Sequence, residues 1–405
     1  MRAVIRPGIA RGTVAAPPSK SMAHRYLICA ALAKGESIVR QVDWSEDIRA
    51  TADCLEVLGA KLQIQGDTVR VIGCDPAEAA SAELPCRESG STLRFLLPLC
   101  LLSGHEMRLR GSGRLMERPL SVYEEICRRQ GLSLERGPGQ VTVQGVLAPG
   151  EYAVPGDVSS QFISGLLFAL PLLERGSVIR LIPPVESRSY LDMTVQAMRD
   201  FGVDVRWQDR HTLTVPGAAV GQARDMTVEG DYSNAAFFDA LNLTGGAVRV
   251  TGLRPDSLQG DRVYRQYFAA LREEDPCLDL ADCPDLAPVL FAAAALTGGA
   301  RFTGTRRLRF KESDRGSAMA EELAKFGVQM TVSENEIVVP PAALHAPDAP
   351  LSSHNDHRIA MALSILCAQT GGVIEGAEAV RKSLPDYWER LQSLHVEVTL
   401  DGMDQ

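Results

Sequence analysis

No CxxC pair and no regular spacing occur among the nine cysteines of this 405-residue chain. An odd, dispersed set reads as reduced thiols rather than a disulfide framework, and a cytoplasmic setting is expected. Long apolar runs are missing too. The longest, such as residues 162–173, fall well short of the roughly 20 residues that span a bilayer, so they read as buried core helices and no membrane partner is expected. The opening stretch, MRAVIRPGIARG, has no apolar segment of signal-peptide length. Positive charge is not in excess: 42 Lys and Arg stand against 51 Asp and Glu, a net charge of −9. That argues against a nucleic-acid partner but leaves room for a local anion site. GxxxxGK[ST] is absent, as is GxGxxG after a strand, which sets nucleoside triphosphates and dinucleotides aside. His354 and His357 in SHNDHR could suggest a metal pair, yet no third ligand stands nearby in sequence, and no metal is expected.

What is there is a globular composition, 45% hydrophobic and 23% charged, at a length that favours two domains. It contains a repeat. Six segments share a polar, cap-rich start, an Ala/Leu-rich helix and a Gly: PSKSMAHRYLICAALAKG, ESGSTLRFLLPLCLLSG, GDVSSQFISGLLFALPLLERG, GDYSNAAFFDALNLTGG, DCPDLAPVLFAAAALTGG and SHNDHRIAMALSILCAQTGG. Most starts lie about 70 residues apart, the size of a supersecondary unit rather than a short solenoid repeat. A second pattern follows each, an amphipathic helix and then two short alternating strands, as in SEDIRATADCLEVLGAKLQIQGDTVRVIG and DRGSAMAEELAKFGVQMTVSENEIVVP. Each unit thus reads as helix, strand, helix, hairpin. In the fourth the hairpin shrinks to PCLDLADC. The reading is an α/β fold of two domains with three units each.

The first helix of each unit is apolar nearly all round and belongs inside its domain; the second belongs outside. Inner helices packed in parallel bring their N-termini to one end, where free N–H groups and the helix dipole suit anions. Cations gather at such starts: Lys20, Arg25, Arg94, Arg114, Arg118, Arg188, Lys311, Arg315, Arg358 and Lys382. Cations are unfavourable at a helix N-terminus unless an anion joins them, so the set points to a basic cleft for small anionic substrates. Ser19, Ser21, Ser89, Gly90, Ser91, Ser159 and Ser160 add hydroxyls and close backbone approach. Asp157 and Asp231 fit helix capping. Asp285 and Glu312 also sit at helix starts, but among the cations, where a carboxylate can exchange protons with a substrate. Cys100, in LPLCLLSG, reads as core.

Together these segments resemble the 5-enolpyruvylshikimate-3-phosphate synthase family over nearly the whole chain. The motifs that carry the resemblance are SKSMAHR, GDVSSQF, PDLAP, KESDR, NDHRIAM and KSLPDYW, in order. It implies two inside-out α/β domains, each a threefold repeat, joined by two crossover segments near Pro18 and Glu229. Residues 19–229 would carry most of the shikimate 3-phosphate site. Residues 1–18 plus 230–405 would carry the acids and part of the phosphoenolpyruvate site. The implied reaction moves the enolpyruvyl group of phosphoenolpyruvate to the 5-hydroxyl of shikimate 3-phosphate by addition and elimination, without cofactor. Shikimate 3-phosphate would meet Lys20, Ser21, Arg25, Ser159, Ser160, Gln161, Ser187, Tyr190, Asp285 and Lys311. Phosphoenolpyruvate would meet Lys20, Gly90, Arg118, Gln161, Arg315, Arg358 and Lys382. Asp285 would act as base toward the hydroxyl, Glu312 would give and take the proton at the methyl carbon, and Lys20 would stabilise charge on oxygen. A monomer whose domains close on the substrates is expected.

Two departures from the family pattern stand out. Glu88-Ser89-Gly90-Ser91 replaces an Asn-Ala-Gly-Thr stretch, and Arg307 stands where many members have an Asn. Two rival readings stand beside this one. An enolpyruvyl transferase acting on UDP-N-acetylglucosamine normally has an early Lys-Asn pair and a Cys- or Asp-bearing loop; here SKSMAHR replaces the former, and no comparable loop follows Arg114. A non-catalytic anion-binding relative would have lost an acid or a cleft cation, and all are retained.

Overall fold

The computed structural model describes residues 1–402. Polar residues start most of the inner helices. Ser19, Ser89 and Ser159 accept backbone N–H bonds from Met22, Thr92 and Gln161 and open helices Lys20–Leu32, Gly90–Cys100 and Ser160–Ala169. Asp231 and Asp356 do the same for Tyr232–Ala240 and His357–Thr370. Each such cap contributes about 1 kcal/mol. The cap at GDVSS is Ser159 rather than the expected Asp157, because Ser159 is the extended residue that immediately precedes the first helical turn. Helix Ala287–Thr297 has no side-chain cap; it follows a 3-10 turn, Pro284–Leu286, with Pro288 in its first turn. Burial follows composition. In Ala287–Thr297 every residue from Ala287 to Ala295 is buried, and in His357–Thr370 every residue from His357 to Ala368. Helices Glu46–Val57, Arg188–Asp200 and Arg315–Ala324 bury one face only.

Five four-stranded sheets among the described residues share one plan. An edge strand pairs in parallel with the strand that follows an inner helix, and that strand pairs antiparallel with one arm of a hairpin. Thus Ala82–Arg87 lies beside Met107–Gly111, then Gln140–Gln144, then Ser133–Gly137. Glu151–Pro155, Ser177–Ile182, Thr212–Val215 and Arg206–Trp207 repeat the plan, as do Asp225–Thr227, Glu36–Arg40, Thr68–Ile72 and Lys61–Gln65. So do Cys277–Asp279, Ala300–Thr303, Glu336–Val339 and Thr331–Val332. In the fifth sheet the hairpin arm is replaced by the chain's first strand: Arg2–Ile5 sits between Gly372–Glu375 and Val398–Asp401. After Tyr232–Ala240 there is only a parallel pair, Ala247–Thr251 with Arg11–Ala15. The expected short hairpin at PCLDLADC does not form. Cys277–Asp279 has three residues following Pro276, too few to fold back, and pairs forward with Arg301–Thr303 instead.

The chain separates into two compact units: Pro18–Glu229, and Met1–Pro17 together with Gly230 onward. Each has its own hydrophobic core, the first built on helices such as Ser160–Ala169, the second on Ala287–Thr297 and His357–Thr370. No helix among the described residues is long and apolar enough to cross a membrane.

Candidate active site

In the Pro18–Glu229 unit the N-terminal turns of the inner helices are tied to one another. Arg94 Nη1 donates to Gln161 Oε1 at 2.8 Å, and Gln161 Nε2 donates to Ser91 Oγ at 3.0 Å, so the starts of Gly90–Cys100 and Ser160–Ala169 are locked together. Arg94 lies over the Phe162 ring at 5.1 Å. Arg25 is buried, with its guanidinium donating to Thr194 Oγ1 and to the carbonyls of Ser21 and Tyr190 at 2.7–2.9 Å. None of these partners is a carboxylate. Burial pushes the Arg25 pKa down to about 10, which leaves it charged at neutral pH. Lys20, by contrast, pairs with Asp47 at 2.7 Å. Ser187 precedes helix Arg188–Asp200 in a left-handed conformation, φ 55°, and Tyr190 lies in its first turn. Ser160 is the buried first residue of its helix.

Gly90 and Arg118 meet in this unit. A Cβ built on Gly90 would lie 2.5 Å from Arg118 Nη1, so the absence of a side chain is what lets the guanidinium lie against the helix start. Arg118 ends the 3-10 turn Gly113–Glu117 and is buried. Arg114, in the same turn, is exposed with Glu117 at 3.9 Å. Arg188 stacks on Trp207, 3.3 Å from the ring centroid, and bonds Asp192. These two cations of the helix-start set serve a solvated turn and a surface stack.

The other unit concentrates acids with its cations. Asp285, on the turn before Ala287–Thr297, accepts from three residues: Lys311 Nζ at 3.2 Å and Arg315 Nη1 at 2.8 Å on Oδ1, and Arg358 Nη2 at 3.1 Å on Oδ2. Arg315 also bonds Glu312 Oε2 at 2.8 Å and Asp356 Oδ2 at 2.9 Å. Burial pushes Asp285 up, but Arg358, Lys311 and Arg315 outweigh it and hold the carboxyl well below the usual range. Burial lowers Lys311, with Asp285 opposing. Burial also opposes the charge on Arg315, and Asp356, Glu312 and Asp285 overturn that, so its pKa is raised. Lys382 Nζ donates to the Asn355 carbonyl at 2.7 Å, on the loop that leads to Asp356. Arg307 is buried and donates to the Ala281 carbonyl at 2.6 Å.

Three acids that sequence reading passed over stand beside these side chains, each within its own unit. Asp356 is fully buried; it caps His357–Thr370 through the Arg358 N–H at 2.9 Å, accepts from Ser313 Oγ at 3.0 Å, and fixes Arg315. Its place inside NDHR was the available signal, masked by the ordinary capping role of Asp. Asp47 stands in the first turn of an outer helix, where acids are common. Asp261 is buried against Ser233, whose hydroxyl it accepts; burial and the neighbouring Asp285 push it up to about 6. His354 does meet acids, Glu322 at 2.8 Å and Glu321 at 3.9 Å, from a distant helix. Lys325 Nζ already holds the Glu322 carboxylate at 2.9 Å, so a cation occupies the charge that a metal would need. Cys100 is fully buried in the core.

The architecture is that of the enolpyruvyl transferases among solved structures. An EPSP synthase from Acinetobacter baumannii superposes with a TM-score of 0.78, covering 98% of this chain and all of that one at 24% identity. The enolpyruvyl transferase NikO from Streptomyces tendae gives 0.74, covering 98% of each chain at 16% identity. Residues 6–391 match the family model described as EPSP synthase (3-phosphoshikimate 1-carboxyvinyltransferase), and the chain belongs to that family. A 3-phosphoshikimate 1-carboxyvinyltransferase of Clostridium kluyveri is 38% identical over 97% of both chains, and one of Clostridium perfringens 36% identical over 97% of this chain and 98% of its own.

Proposed function

We propose that Asp285, Glu312 and Lys20 carry the chemistry of this enzyme. The reaction is the transfer of the enolpyruvyl group from phosphoenolpyruvate to shikimate 3-phosphate, in the shikimate pathway. Glu312 protonates the methylene carbon of phosphoenolpyruvate, which makes the neighbouring C2 electrophilic. The 5-hydroxyl oxygen of shikimate 3-phosphate bonds to C2 as Asp285 takes its proton. In the second half the C2–O bond to phosphate breaks with its electron pair on the phosphate, which leaves with the proton that Asp285 had taken, and Glu312 takes back a proton from the methyl group.

The observation that carries this reading is the cluster of Asp285 and Glu312 on Lys311, Arg315 and Arg358. A carboxylate held by three cations is a weak base. An anionic substrate that engages Arg315 and Arg358 draws their charge away from Asp285 and raises its proton affinity where a hydroxyl proton must be removed. Binding and activation are thereby linked. Lys382 and Arg118, with Gly90 and Gln161, are assigned to the same phosphoenolpyruvate. Arg25, Ser21, Ser159, Ser160, Ser187, Tyr190 and Lys311 are assigned to shikimate 3-phosphate, and Lys20 to the oxygen that gains charge. Two anions side by side repel, and this number of cations offsets it. Phosphate release with both substrates, omitting each in turn, tests the reading: release must require both. Turnover with UDP-N-acetylglucosamine in place of shikimate 3-phosphate would reverse it.

A further inference from the structure

Four buried polar side chains run in file through the Pro18–Glu229 unit. His24 Nδ1 is 2.8 Å from Thr51 Oγ1, Thr51 Oγ1 is 2.7 Å from Thr92 Oγ1, and Thr92 Oγ1 is 2.7 Å from Ser89 Oγ. All four residues are at most 1% exposed. They come from helix Lys20–Leu32, helix Glu46–Val57, helix Gly90–Cys100 and the cap of the last. The file therefore joins the helix that opens with Lys20 to the helix that opens with Gly90. It also touches the third, since Thr92 Oγ1 reaches the Asp47 carbonyl at 3.4 Å and the Asp47 carboxylate holds Lys20.

We propose that His24 is a positioning residue of the active site: its ring sets the direction of this hydrogen-bond file and so fixes the Gly90 helix start against the Lys20 helix. Burial, Lys20 and Arg25 keep the imidazole neutral, so it carries one N–H. The Nε2 atom is buried with no partner, beside the edge-on Phe95 ring. A proton there would be an orphaned buried donor, whereas a bare lone pair is tolerated more readily. The proton belongs on Nδ1, which donates to Thr51. Each hydroxyl has one proton to give, so Thr51 donates to Thr92 and Thr92 donates to Ser89. Ser89 Oγ also accepts the Thr92 backbone N–H at 3.2 Å, which makes it a doubly fed cap. Its own proton is the one that the file does not consume, at the helix start where Gly90 and Arg118 lie.

The inference rests on the assignment of Gly90 and Arg118 to phosphoenolpyruvate, and its tests are separable from that assignment. Nitrogen-15 NMR of the histidine rings in the intact chain reports the tautomer of His24 directly, with His24→Asn identifying its signal. The Nδ1–H form is expected, and the Nε2–H form or a charged ring at neutral pH overturns the proposal whatever the enzyme's substrate is. In steady-state assays His24→Leu should raise KM for phosphoenolpyruvate about 10-fold and lower kcat much less. His24→Asn, which keeps a donor where Nδ1 stands, should return KM to within about threefold of the wild type. If His24→Leu does not fold, Thr92→Val breaks the same file further along and is expected to shift the same constant. A wild-type KM in a folded, less heat-stable variant would show a purely structural role and sink the inference. Absence of turnover by the wild type would instead count against the function.

Discussion

Arg25 and Arg315 are both buried guanidiniums near the starts of helices, with 2% and 1% exposure, yet their surroundings are opposite. Arg25 is held by a hydroxyl and two carbonyls, and no carboxylate among the described residues pairs with it. Arg315 is held by Asp285, Glu312 and Asp356. One unit stores an uncompensated cation, which is costly without an anionic visitor. The other carries its own anions, and a visitor there must compete with them. The difference accords with a phosphate-bearing acceptor being drawn to Arg25, and with proton chemistry being seated beside Arg315, where displacement of a partner changes a carboxylate's basicity.

The largest expected effect is on Lys20. Lys20→Ala should lower the rate by about 10³-fold or more in a phosphate-release assay, the outcome that the role proposed for it at the reacting oxygen requires. A loss below tenfold would remove Lys20 from the chemistry. The next test addresses the two arginines directly. Arg315→Leu leaves Asp356 buried without its cation and should cost roughly 3–5 kcal/mol in urea unfolding. Arg25→Leu should cost about 1 kcal/mol while raising KM for shikimate 3-phosphate by roughly 10–100-fold. Equal losses of stability from the two substitutions would erase the distinction. Gly90→Ala comes third. The added methyl must push the Arg118 guanidinium aside, at a cost of about 1–3 kcal/mol read as a raised KM for phosphoenolpyruvate, with shikimate 3-phosphate much less affected.

The smallest effect is a pH dependence. Asp261 has a folded pKa of about 6, above the ~3.9 of an unfolded Asp. Its contribution to stability is present below the unfolded value and is lost as pH rises through about 6. Asp285 has the opposite sign: its contribution is present above the unfolded value and is lost only as pH falls through its depressed folded pKa. Asp261→Asn, which mimics the protonated acid, should therefore flatten the decline in melting temperature between pH 4 and 6 (~2 units above the unfolded value at most) and leave the acid limb in place. A difference in melting temperature between variant and wild type that stays constant across that interval would contradict the assignment.

Much of this was legible because the chain repeats itself. Ser19 and Ser89 open inner helices at the polar starts of the repeat, Ser159 does so in place of the expected Asp157, and QGD and SEN do turn hairpins between Lys61–Gln65 and Thr68–Ile72 and between Thr331–Val332 and Glu336–Val339. What escaped was non-local. The pattern of PCLDLADC suggests a local hairpin, but the partner of Cys277–Asp279 is a parallel strand beyond an intervening helix, and parallel pairing leaves no short-range signature. Asp47 and Asp356 escaped because a carboxylate in a first turn or at a cap is commonplace, and only the fold reveals that each grips a cation. Arg114 and Arg188 mislead for the converse reason, since position at a helix start says nothing about whether a side chain turns toward solvent or lies on a tryptophan.

The placement of Arg2–Ile5 at the centre of a sheet made otherwise from residues 351–401 has a consequence for biogenesis. A ribosome delivers that strand long before its neighbours, so the segment must wait, unmated, until they have been made. Pro18–Glu229 has all its own strands as soon as residue 229 has emerged, and can mature while translation continues. Nascent chains arrested after that point should already resist protease across Pro18–Glu229, while the opening strand stays cleavable until the closing residues are released.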